Sequence, residues 1–549
     1  MDRRATIATL LGKQTQQRTT AATSAGSLAP YTGPFDRAAA SHLLRRVTFG
    51  ANYDQIRQAE TEGLATTIAK IFTQDPEPQP PINHRYESDP GCAIGETWID
   101  QPYTLDDEIR AYRQESLYAW TGFLMYKDNI SIHEKLVLFW HNHFVTGDIN
   151  DPKFVYQYSK TLRENALGNF REFTKAITVD PSMLIYLNGN DNVASSPNEN
   201  FARELVELFT VGKGDLVGPG DYTNYTEDDI QAMSKVLTGW TSIGYFAQDA
   251  TPVGIAFSPT NHDNSTKQLS HRFGNASISA AGTQEYKNLI DIIFQQRACA
   301  EHICRKIYRF FIGDNINTDI ENDIIQPLAD LMIANDYEIQ PVLETLFMSE
   351  HFFSDAAYGC VIKNPIDYFV GMGRNFELSF DQDMLISHMQ SLGTLYAASF
   401  LGMSYYNPPG VAGWKAYYQE PTFHQIWINS VTLPNRMGYA YVLINQGFDF
   451  DGFPIYVDPL TLVDKMDSPA DPNSVITEFA MTLLPRPLSI GQIGYLKQVL
   501  IPGLPDFEWE VEYLEYTGDP TNEQLANGVR NKLKNLLTVI LTMAEYQLM

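Results

Sequence analysis

The feature that most constrains the fold is a segment with no polar face. From Ser131 to Val145 the chain reads SIHEKLVLFWHNHFV, and apolar residues in its central run fall on every side of a helix. A helix that is apolar all round has to be enclosed by other elements. We therefore expect this helix to lie in the interior of a large protein. The spacing of Ser131 and Glu134 predicts a capping box at its start.

Most of the remaining chain repeats apolar residues at helical spacing. Helices are predicted over 35–72, 105–126, 154–167, 169–179, 198–211 and 283–353. Between Gly239 and Asn275, small, aromatic and polar residues alternate among several Gly and Pro, which is typical of short strands or an irregular insertion. The predicted fold class is mainly α, a multi-helical globular protein with a small irregular or β-containing insertion near residues 240–280.

Chain length sets the expected domain organisation. The 549 residues exceed one average domain. We interpret residues 31–440 as a helical core and residues 441–549 as a C-terminal helical unit. The segments VLETLFMSEHF, from Val342, and LTVILTMAEY, from Leu537, share the order of their apolar residues, a Met and a Glu. The C-terminal unit is therefore either a repeat of part of 295–353 or an unrelated amphipathic end.

The net charge of the chain disfavours polyanionic partners. The chain has 66 acidic and 39 basic residues and a formal net charge of -27, which opposes binding to nucleic-acid phosphates or an anionic membrane. The acidity reflects either simple solubility or an acidic cleft for cations or sugars. Four cysteines are too few for a disulfide scaffold. No run approaches the roughly eighteen apolar residues that a transmembrane helix needs.

The first 30 residues indicate a disordered polar tail or a degenerate export-like segment. Arg3 and Arg4 resemble the start of a twin-arginine export signal, but the apolar run that follows is short and ends at Lys13. Thr, Gln, Ser and Ala then dominate, which is typical of disorder. A cytoplasmic location is therefore favoured over an exported or periplasmic one.

Two histidines occur near the end of the apolar segment. His141 and His143 are two residues apart, so on a continuous helix their side chains point about 200 degrees away from each other. They share a ligand only if the helix ends or frays here. Two buried imidazoles each need a polar partner. The alternatives are a shared metal site and two separate core histidines bonded to backbone carbonyls.

A carboxylate-rich helix is predicted over 198–211. Glu199, Arg203 and Glu207 are spaced by four and form an outer stripe, which is usually a solvated ladder of charges. Glu204 falls at the edge of the buried face, from which it reaches into a cleft. Glu204 is therefore the better candidate for a proton-transfer residue.

The sequence NHDNSTK places His262 and Asp263 side by side on an irregular segment, with Lys267 close behind. Loops often carry ligands and catalytic groups. The alternative is a turn that the Asp side chain stabilises. The sequence contains no Gly-rich phosphate loop, no G-x-S-x-G, no H-E-x-x-H and no paired C-x-x-C, which disfavours the enzyme classes that those motifs mark.

Several long motifs of this chain occur in the same order in a known family. They are HLLRRVTFG, KLVLFWHNHFVT, LRENALGNFREFTKAITVDPSMLIYL, PNENFARELVELFTVG, YTEDDIQAMSKVLTGW, the pair His262-Asp263, RKIYRFFI, IKNPIDYFVG and NPPGVAGW. By these motifs, which extend from about Ser41 to Trp414, the chain resembles the large bacterial family known as domain of unknown function 1800.

The resemblance implies a mainly helical protein. Members of the family are often predicted to be exported, and they tend to be encoded beside proteins that resemble a sulfatase-like family. The resemblance therefore implies a sulfatase-like protein as a partner. The incomplete export-like start of this chain departs from that pattern. The family has no established catalytic residues to carry over, so the site residues depend on chemistry alone.

Two functional hypotheses of different classes follow. The first is a metal-assisted hydrolase that acts on a saccharide or other polar polymer, with a divalent metal such as zinc activating water. The second is a non-catalytic binding or assembly partner of a sulfatase-like protein. In the first hypothesis the metal ligands are His141, His143, His262 and Asp263, and the proton-transfer residues are Glu204 and Glu207.

Overall fold

The computed structural model describes residues 27–549, apart from residues 75, 104–106, 127–129, 250, 379–383 and 451. The export-like segment with Arg3 and Arg4 lies outside the described residues, and the prediction made for it stays a prediction. Among the described residues, no helix has both the length and the apolar composition needed to cross a bilayer.

The described chain is built mainly from α-helices, which confirms the predicted fold class. In chain order the helices are α1 (Arg37–Val47), α2 (Tyr53–Glu62), α3 (Leu64–Ile71), α4 (Asp107–Tyr126), α5 (His133–His143), α6 (Pro152–Asn165), α7 (Phe170–Thr178), α8 (Pro181–Tyr186), α9 (Glu199–Glu204), α10 (Glu227–Val236), α11 (Glu285–Ile293), α12 (Arg297–Phe311), α13 (Thr318–Ile320), α14 (Gln326–Ala334), α15 (Ile339–Phe347), α16 (Pro365–Asn375), α17 (Met384–Phe400), α18 (Thr432–Asn445), α19 (Pro459–Val463), α20 (Pro472–Leu483), α21 (Ile490–Leu500), α22 (Asp506–Gly518) and α23 (Glu523–Thr542).

Two further segments are wound as π-helix. Leu205–Phe209 continues α9, and Glu321–Ile325 joins α13 to α14. The predicted helix over 198–211 is therefore α-helical only in its first part. A π-helical turn leaves backbone groups without the usual partner four residues away and often marks a functional position.

Strands occur only as short antiparallel pairs within the described ranges. They are β1 (Leu216–Gly218) with β2 (Asp221–Tyr222), β3 (Trp240–Ile243) with β4 (Gly254–Phe257), β5 (Lys267–Gln268) with β6 (Ser277–Ile278), and β7 (Phe448–Phe450) with β8 (Phe453–Ile455). The pairs β3–β4 and β5–β6 confirm the β-containing insertion near residues 240–280. The other two pairs lie outside that prediction.

Local sequence explains several helix starts. The Asp180 side chain accepts hydrogen bonds from the first backbone N–H groups of α8, and Thr226 forms a capping box with Asp229 at α10. The capping box predicted at Ser131 is wrong. Helix α5 begins at His133 without a side-chain cap, because Glu134 instead pairs with Arg163, 2.5 Å away on α6.

Helix α5 is buried, as its composition predicts. Leu136, Leu138 and Trp140 are fully enclosed. Trp140 packs against two phenylalanine rings of α7, Phe170 at 5.5 Å and Phe173 at 5.2 Å between centroids. The helix therefore forms part of the core around which its neighbours are arranged.

The C-terminal helices pack against the N-terminal ones. The Ser41 hydroxyl on α1 donates to the Met481 carbonyl at 2.8 Å, and Arg45 donates to the Thr482 carbonyl at 3.0 Å. These bonds join the predicted C-terminal unit to the predicted core. The boundary near residue 440 and the internal repeat stay predictions.

Candidate functional site

The two histidines of α5 point into different parts of the interior. The helix continues through His143 and is capped at Phe144, so it does not break between the two residues. Both side chains are buried. The structure therefore leaves His141 and His143 about 200 degrees apart around the helix axis, and each has its own partners.

His141 bonds to the loop after α17. Its Nε2 accepts the backbone N–H of Tyr406 at 3.0 Å, and its Nδ1 lies 2.9 Å from the Tyr158 hydroxyl. That hydroxyl donates to the Phe144 carbonyl at 2.6 Å, so Nδ1 carries the proton and donates to Tyr158. Burial lowers the pKa of His141 to about 3. His141 is therefore neutral near pH 7 and holds the backbone at Tyr406.

His143 bonds to the end of the π-helix. Its Nε2 donates to the Phe209 carbonyl at 3.1 Å, and its Nδ1 accepts from the Lys306 ammonium at 3.2 Å. Lys306 and His302 both donate to the Leu208 carbonyl, at 2.9 and 3.0 Å. Burial, with Lys306 next in effect, holds the pKa of His143 well below its usual value. These donors satisfy carbonyls that a π-helix end leaves unpaired.

Glu207 belongs to a charged network at the surface. It accepts a hydrogen bond from the Tyr225 hydroxyl. Arg203 and Lys213 lie 3.5 Å from the Glu207 carboxylate, and Arg203 also pairs with Glu227 at 2.6 Å. The predicted outer stripe of charges is present, with Glu227 as an additional member.

Glu204 lies in a different environment from Glu207. It is half-buried, and burial raises the pKa of its carboxyl, with the charge of Glu207 adding to the effect. Tyr186, at the end of α8, lies near two carboxylates. Its pKa is raised first by burial and then by Asp148 and Glu204. Tyr186 is therefore within electrostatic range of both acids.

His262 is part of a buried charged cluster. Its Nε2 lies 3.0 Å from a Glu285 carboxylate oxygen, and its Nδ1 lies 2.9 Å from the Thr238 carbonyl. Lys267 pairs with the other oxygen of Glu285. The side chains of His262, Lys267 and Glu285 are fully enclosed. This cluster joins the β-containing insertion to α11.

Asp263 stabilises a turn beside that cluster. Its carboxylate accepts the backbone N–H of Ser265 at 2.8 Å and also the Ser265 hydroxyl. Its own N–H donates to the Thr238 hydroxyl at 2.8 Å. This is the turn that the sequence offered as the alternative to a ligand.

The structure does not gather the predicted metal ligands into one place. His141, His143 and His262 each have protein partners on both ring nitrogens. Among the residues that the structure describes, no group of three or more His, Cys, Asp or Glu is arranged to hold a metal ion. The histidines of α5 instead position backbone, one at Tyr406 and the other at Phe209.

A cavity of about 560 Å³ adjoins the loop that His141 holds. Its volume falls within the range typical of small-molecule sites. Helix α4, the turn after α5, the start of α6 and two loops form its wall. The residues that line it are Asp107, Arg110, Ala111, Gln114, Tyr118, Asp148, Ile149, Asn150, Val155, Phe246, Tyr406 and Asn407.

Three of these residues have left-handed backbone conformations. The φ angles are 56° at Asp148, 51° at Phe246 and 62° at Tyr406. Each such conformation in a non-glycine residue costs about 1–3 kcal/mol, and they cluster at active sites and ligand clamps. Two of the three are aromatic, for which a positive φ is a genuine outlier.

Each of the three strained residues has its backbone N–H held by a side chain. Tyr406 donates to His141, as described above. Phe246 donates to the Asp151 carboxylate at 2.7 Å, and Asp148 donates to the Asn407 side-chain carbonyl at 3.3 Å. Residues distant in sequence therefore maintain all three conformations at one cavity. This convergence identifies the cavity as the candidate functional site.

The wall combines aromatic faces with hydrogen-bonding groups. Arg110 lies over the Phe246 ring, 4.6 Å from its centroid, and pairs with Asp107. The side chains of Asp148 and Asn150 are exposed. A ligand in the cavity therefore meets carboxylate, amide and guanidinium groups beside apolar rings.

Sequence reasoning missed most of these residues. Asp148 lies in the segment GDINDPK, directly after the motif KLVLFWHNHFVT, and Asn407 begins the motif NPPGVAGW, so the neighbouring motifs were recognised but the site was not. A left-handed Tyr or Phe has no local sequence signal, unlike a left-handed Gly or Asn. The turn-forming residues around Asp148 were the one feature of the sequence that indicated a functional segment here.

The family comparison agrees with the motifs. The family model described as "Protein of unknown function (DUF1800)" matches residues 42–548. The match extends through the C-terminal helices, beyond the stretch from Ser41 to Trp414 that the motifs cover. No curated protein and no solved structure matches the chain.

Proposed function

Because the chain belongs to the DUF1800 family, whose description assigns no activity, we propose its function from the cavity: it binds a polyhydroxylated ligand, a saccharide or another polar polymer. The observation that carries the proposal is the convergence of the left-handed residues Asp148, Phe246 and Tyr406 on one cavity.

The composition of the wall supports a saccharide. Aromatic rings offer flat apolar surface, and the amides of Asn150 and Asn407 offer both donors and acceptors. Asp148 accepts hydroxyl hydrogen bonds, and Arg110 donates them.

Hydrolysis of that ligand is the catalytic part of the proposal. Asp148, whose side chain is exposed in the cavity wall, is suited to act as the base. For the general acid we propose Glu204, which lies outside the cavity wall, is half-buried, and has a carboxyl pKa that burial raises. Tyr186 lies within electrostatic range of both. A metal-assisted route would need ligands that the described residues do not gather, so the proposal assigns the chemistry to these carboxylates.

A glycan array tests the binding proposal. The full chain is applied to neutral, sulfated and uronic-acid oligosaccharides, and each ligand found is measured by calorimetry. We expect Asn150→Ala to weaken binding by roughly tenfold, the loss of one good hydrogen bond. The matched control is Asn531→Ala, at an exposed position on α23 far along the chain from the cavity residues. Equal losses in both variants, or no ligand at all, would contradict the proposal.

Activity is tested on the ligands that bind. We expect Glu204→Gln and Asp148→Asn to abolish hydrolysis while the ligand still binds. The control Glu199→Gln removes a partly exposed carboxylate of the same helix, which is not among the groups that raise the pKa of Glu204, and leaves hydrolysis in place. If Glu204→Gln keeps full activity, Glu204 is not the acid.

The second candidate function is assembly with another protein, such as a sulfatase-like one. Helix α22 supports it, because Phe507, Val511 and Leu514 are 58%, 46% and 54% exposed and are spaced along one face. Acidic residues flank this face, so a partner with basic residues is expected. Co-purification with the sulfatase-like protein, and its loss in Val511→Glu, tests this function separately from saccharide binding.

A further inference from the structure

The candidate saccharide cavity extends along helix α4. Five residues of this helix line it, and they are Asp107, Arg110, Ala111, Gln114 and Tyr118. Their spacing by three and four places them on one face of the helix. From Arg110 to Tyr118 the helix rises about 12 Å, at about 1.5 Å per residue. An elongated ligand therefore has room to lie along this face.

An exposed aromatic residue adjoins the cavity at the Arg110 end. The Arg110 guanidinium lies over the Phe246 ring, and the Tyr245 ring lies 4.3 Å from that of Phe246. Tyr245 is 36% exposed. Its hydroxyl accepts the backbone N–H of Asn150 at 3.3 Å, and Asn150 lines the cavity. Tyr245 is therefore held at the edge of the cavity and is accessible from solvent.

More aromatic residues adjoin the cavity at the Tyr118 end. The Tyr118 ring lies 5.8 Å from that of Tyr406, which also lines the cavity, and 5.5 Å from that of Tyr396 on α17. Tyr396 is 43% exposed. Phe400 follows one helical turn later, so it lies on the same face of α17, and it is 82% exposed. Aromatic residues therefore continue from the cavity onto the surface of α17.

This arrangement suits a chain of sugars better than a single sugar. The C–H groups on one face of a sugar ring pack against an aromatic ring, and its hydroxyls bond to groups such as the side chains of Asp148 and Asn150 in the cavity wall. Exposed apolar residues that continue a cavity mark a binding surface. Because Tyr245 and Tyr396 adjoin opposite ends of the α4 face, one sugar ring does not reach both.

On the basis of the saccharide binding proposed above, we propose that the ligand is a polysaccharide segment of several consecutive sugars. The segment lies along α4, with one end against Tyr245 and the other against Tyr396 and Phe400. The affinity then increases with the number of sugars until both ends of the surface are covered. A site for one sugar, confined to the cavity, gives no such increase.

The dependence of affinity on chain length tests this proposal. The full chain is titrated in a calorimeter with cello-oligosaccharides, oligogalacturonides and chondroitin sulfate oligomers, each as the disaccharide, tetrasaccharide and hexasaccharide. We expect at least one series to bind roughly tenfold or more tightly as the hexasaccharide than as the disaccharide, because further sugars gain ring contacts. Equal affinity at every length overturns this proposal and leaves saccharide binding in place. Binding of no oligomer in any series overturns both.

Two variants locate the surface on α17. Tyr396→Ala and Phe400→Ser are each expected to weaken hexasaccharide binding between roughly threefold and tenfold, the equivalent of one aromatic contact. The affinity for the disaccharide, which the cavity alone accommodates, is expected to stay unchanged. Tyr396→Phe is expected to bind as the wild type does, because it keeps the ring.

The control is Tyr495→Ala, since Tyr495 is 61% exposed on α21, which contributes none of the described residues that line the cavity. It is expected to leave all affinities unchanged. Equal losses in Tyr396→Ala and Tyr495→Ala, or hexasaccharide binding that neither α17 variant weakens, overturn the proposal. If thermal unfolding shows that Tyr396→Ala does not fold, Phe400→Ser decides, because its side chain is mostly in solvent.

Discussion

At the scale of single residues, the left-handed conformations are the strongest sign of function. The left-handed conformations of Asp148, Phe246 and Tyr406 destabilise the folded state. The backbone N–H of each residue donates to a side-chain acceptor. Glycine adopts such a conformation without strain, and asparagine and aspartate adopt it more readily than aromatic residues do. Of the three side chains, that of Asp148 is exposed, whereas Tyr406 is 7% exposed and its hydroxyl bonds to Thr121 at 2.7 Å.

Replacing Asp148 with glycine separates stability from binding. We expect Asp148→Gly to leave the free energy of unfolding unchanged or to raise it by about 1 kcal/mol, because glycine adopts a positive φ without strain. Saccharide binding is expected to weaken. Urea unfolding and calorimetry measure the two effects. Asn275→Gly is the control, since its φ of 54° lies outside the cavity; weaker binding in that variant would contradict the interpretation.

The buried histidines predict how stability depends on pH. Burial lowers the pKa of His141 to about 3 and that of His302 to about 3, against about 6.5 in the unfolded chain. Between those values the unfolded state binds more protons. The contribution of these two histidines to the free energy of unfolding is therefore constant above about pH 6.5 and decreases as the pH falls, by up to about 1.4 kcal/mol per pH unit for each of them.

Urea unfolding at pH 7.5 and pH 5 measures this dependence. We expect His141→Gln to be less stable than the wild type at pH 7.5 and less sensitive to acid. The exposed His271 provides the control, and His271→Gln is expected to keep the wild-type dependence. An unchanged slope in His141→Gln would show that this imidazole is already protonated or accessible in the native state.

At the scale of elements, the cluster of His262, Lys267 and Glu285 holds the β-containing insertion on the helical body. Removing one partner of a buried ion pair leaves an unpaired charge, which costs about 3–5 kcal/mol. We expect Glu285→Gln to lower the free energy of unfolding by that amount. Glu199→Gln breaks a pair with Arg203 at the surface and is expected to cost less than about 1 kcal/mol. If urea unfolding shows equal losses of unfolding free energy in Glu285→Gln and Glu199→Gln, water reaches the cluster.

The elements themselves were largely predictable. Apolar periodicity located α5, α6 and α7, and turn residues located the β-containing insertion. The π-helical turn at Leu205–Phe209 was not predictable, because the same residues suit an α-helix. Its carbonyls are satisfied by His143, His302 and Lys306, which come from other helices, and these contacts favour the wider turn.

At the scale of the whole molecule, the N-terminal and C-terminal helices form one packed structure. Helix α1 bonds to α20 through Ser41 and Arg45, and Tyr53 on α2 donates to Glu478. These groups are buried, so removing their partners leaves polar atoms unsatisfied in the interior.

We therefore expect a chain that ends at residue 440 not to fold cooperatively. It should have helical far-ultraviolet circular dichroism, bind a hydrophobic dye and show no sharp thermal transition, which are signs of lost side-chain packing. The full chain is the reference in each measurement. A sharp transition in the shortened chain would instead support two independent units divided near residue 440.

The sequence by itself determined the family, the mainly helical fold and the burial of α5, since apolar spacing and capping residues act over a few neighbouring positions. It also showed that His141 and His143 point apart on an unbroken helix. Only the tertiary structure decided what they do. One of the two partners of His141 is Tyr406, 265 residues away, and the backbone strain at Tyr406 exists because the packed structure imposes it. A local sequence pattern predicts neither this hydrogen bond nor this strain, because both depend on how distant segments pack together.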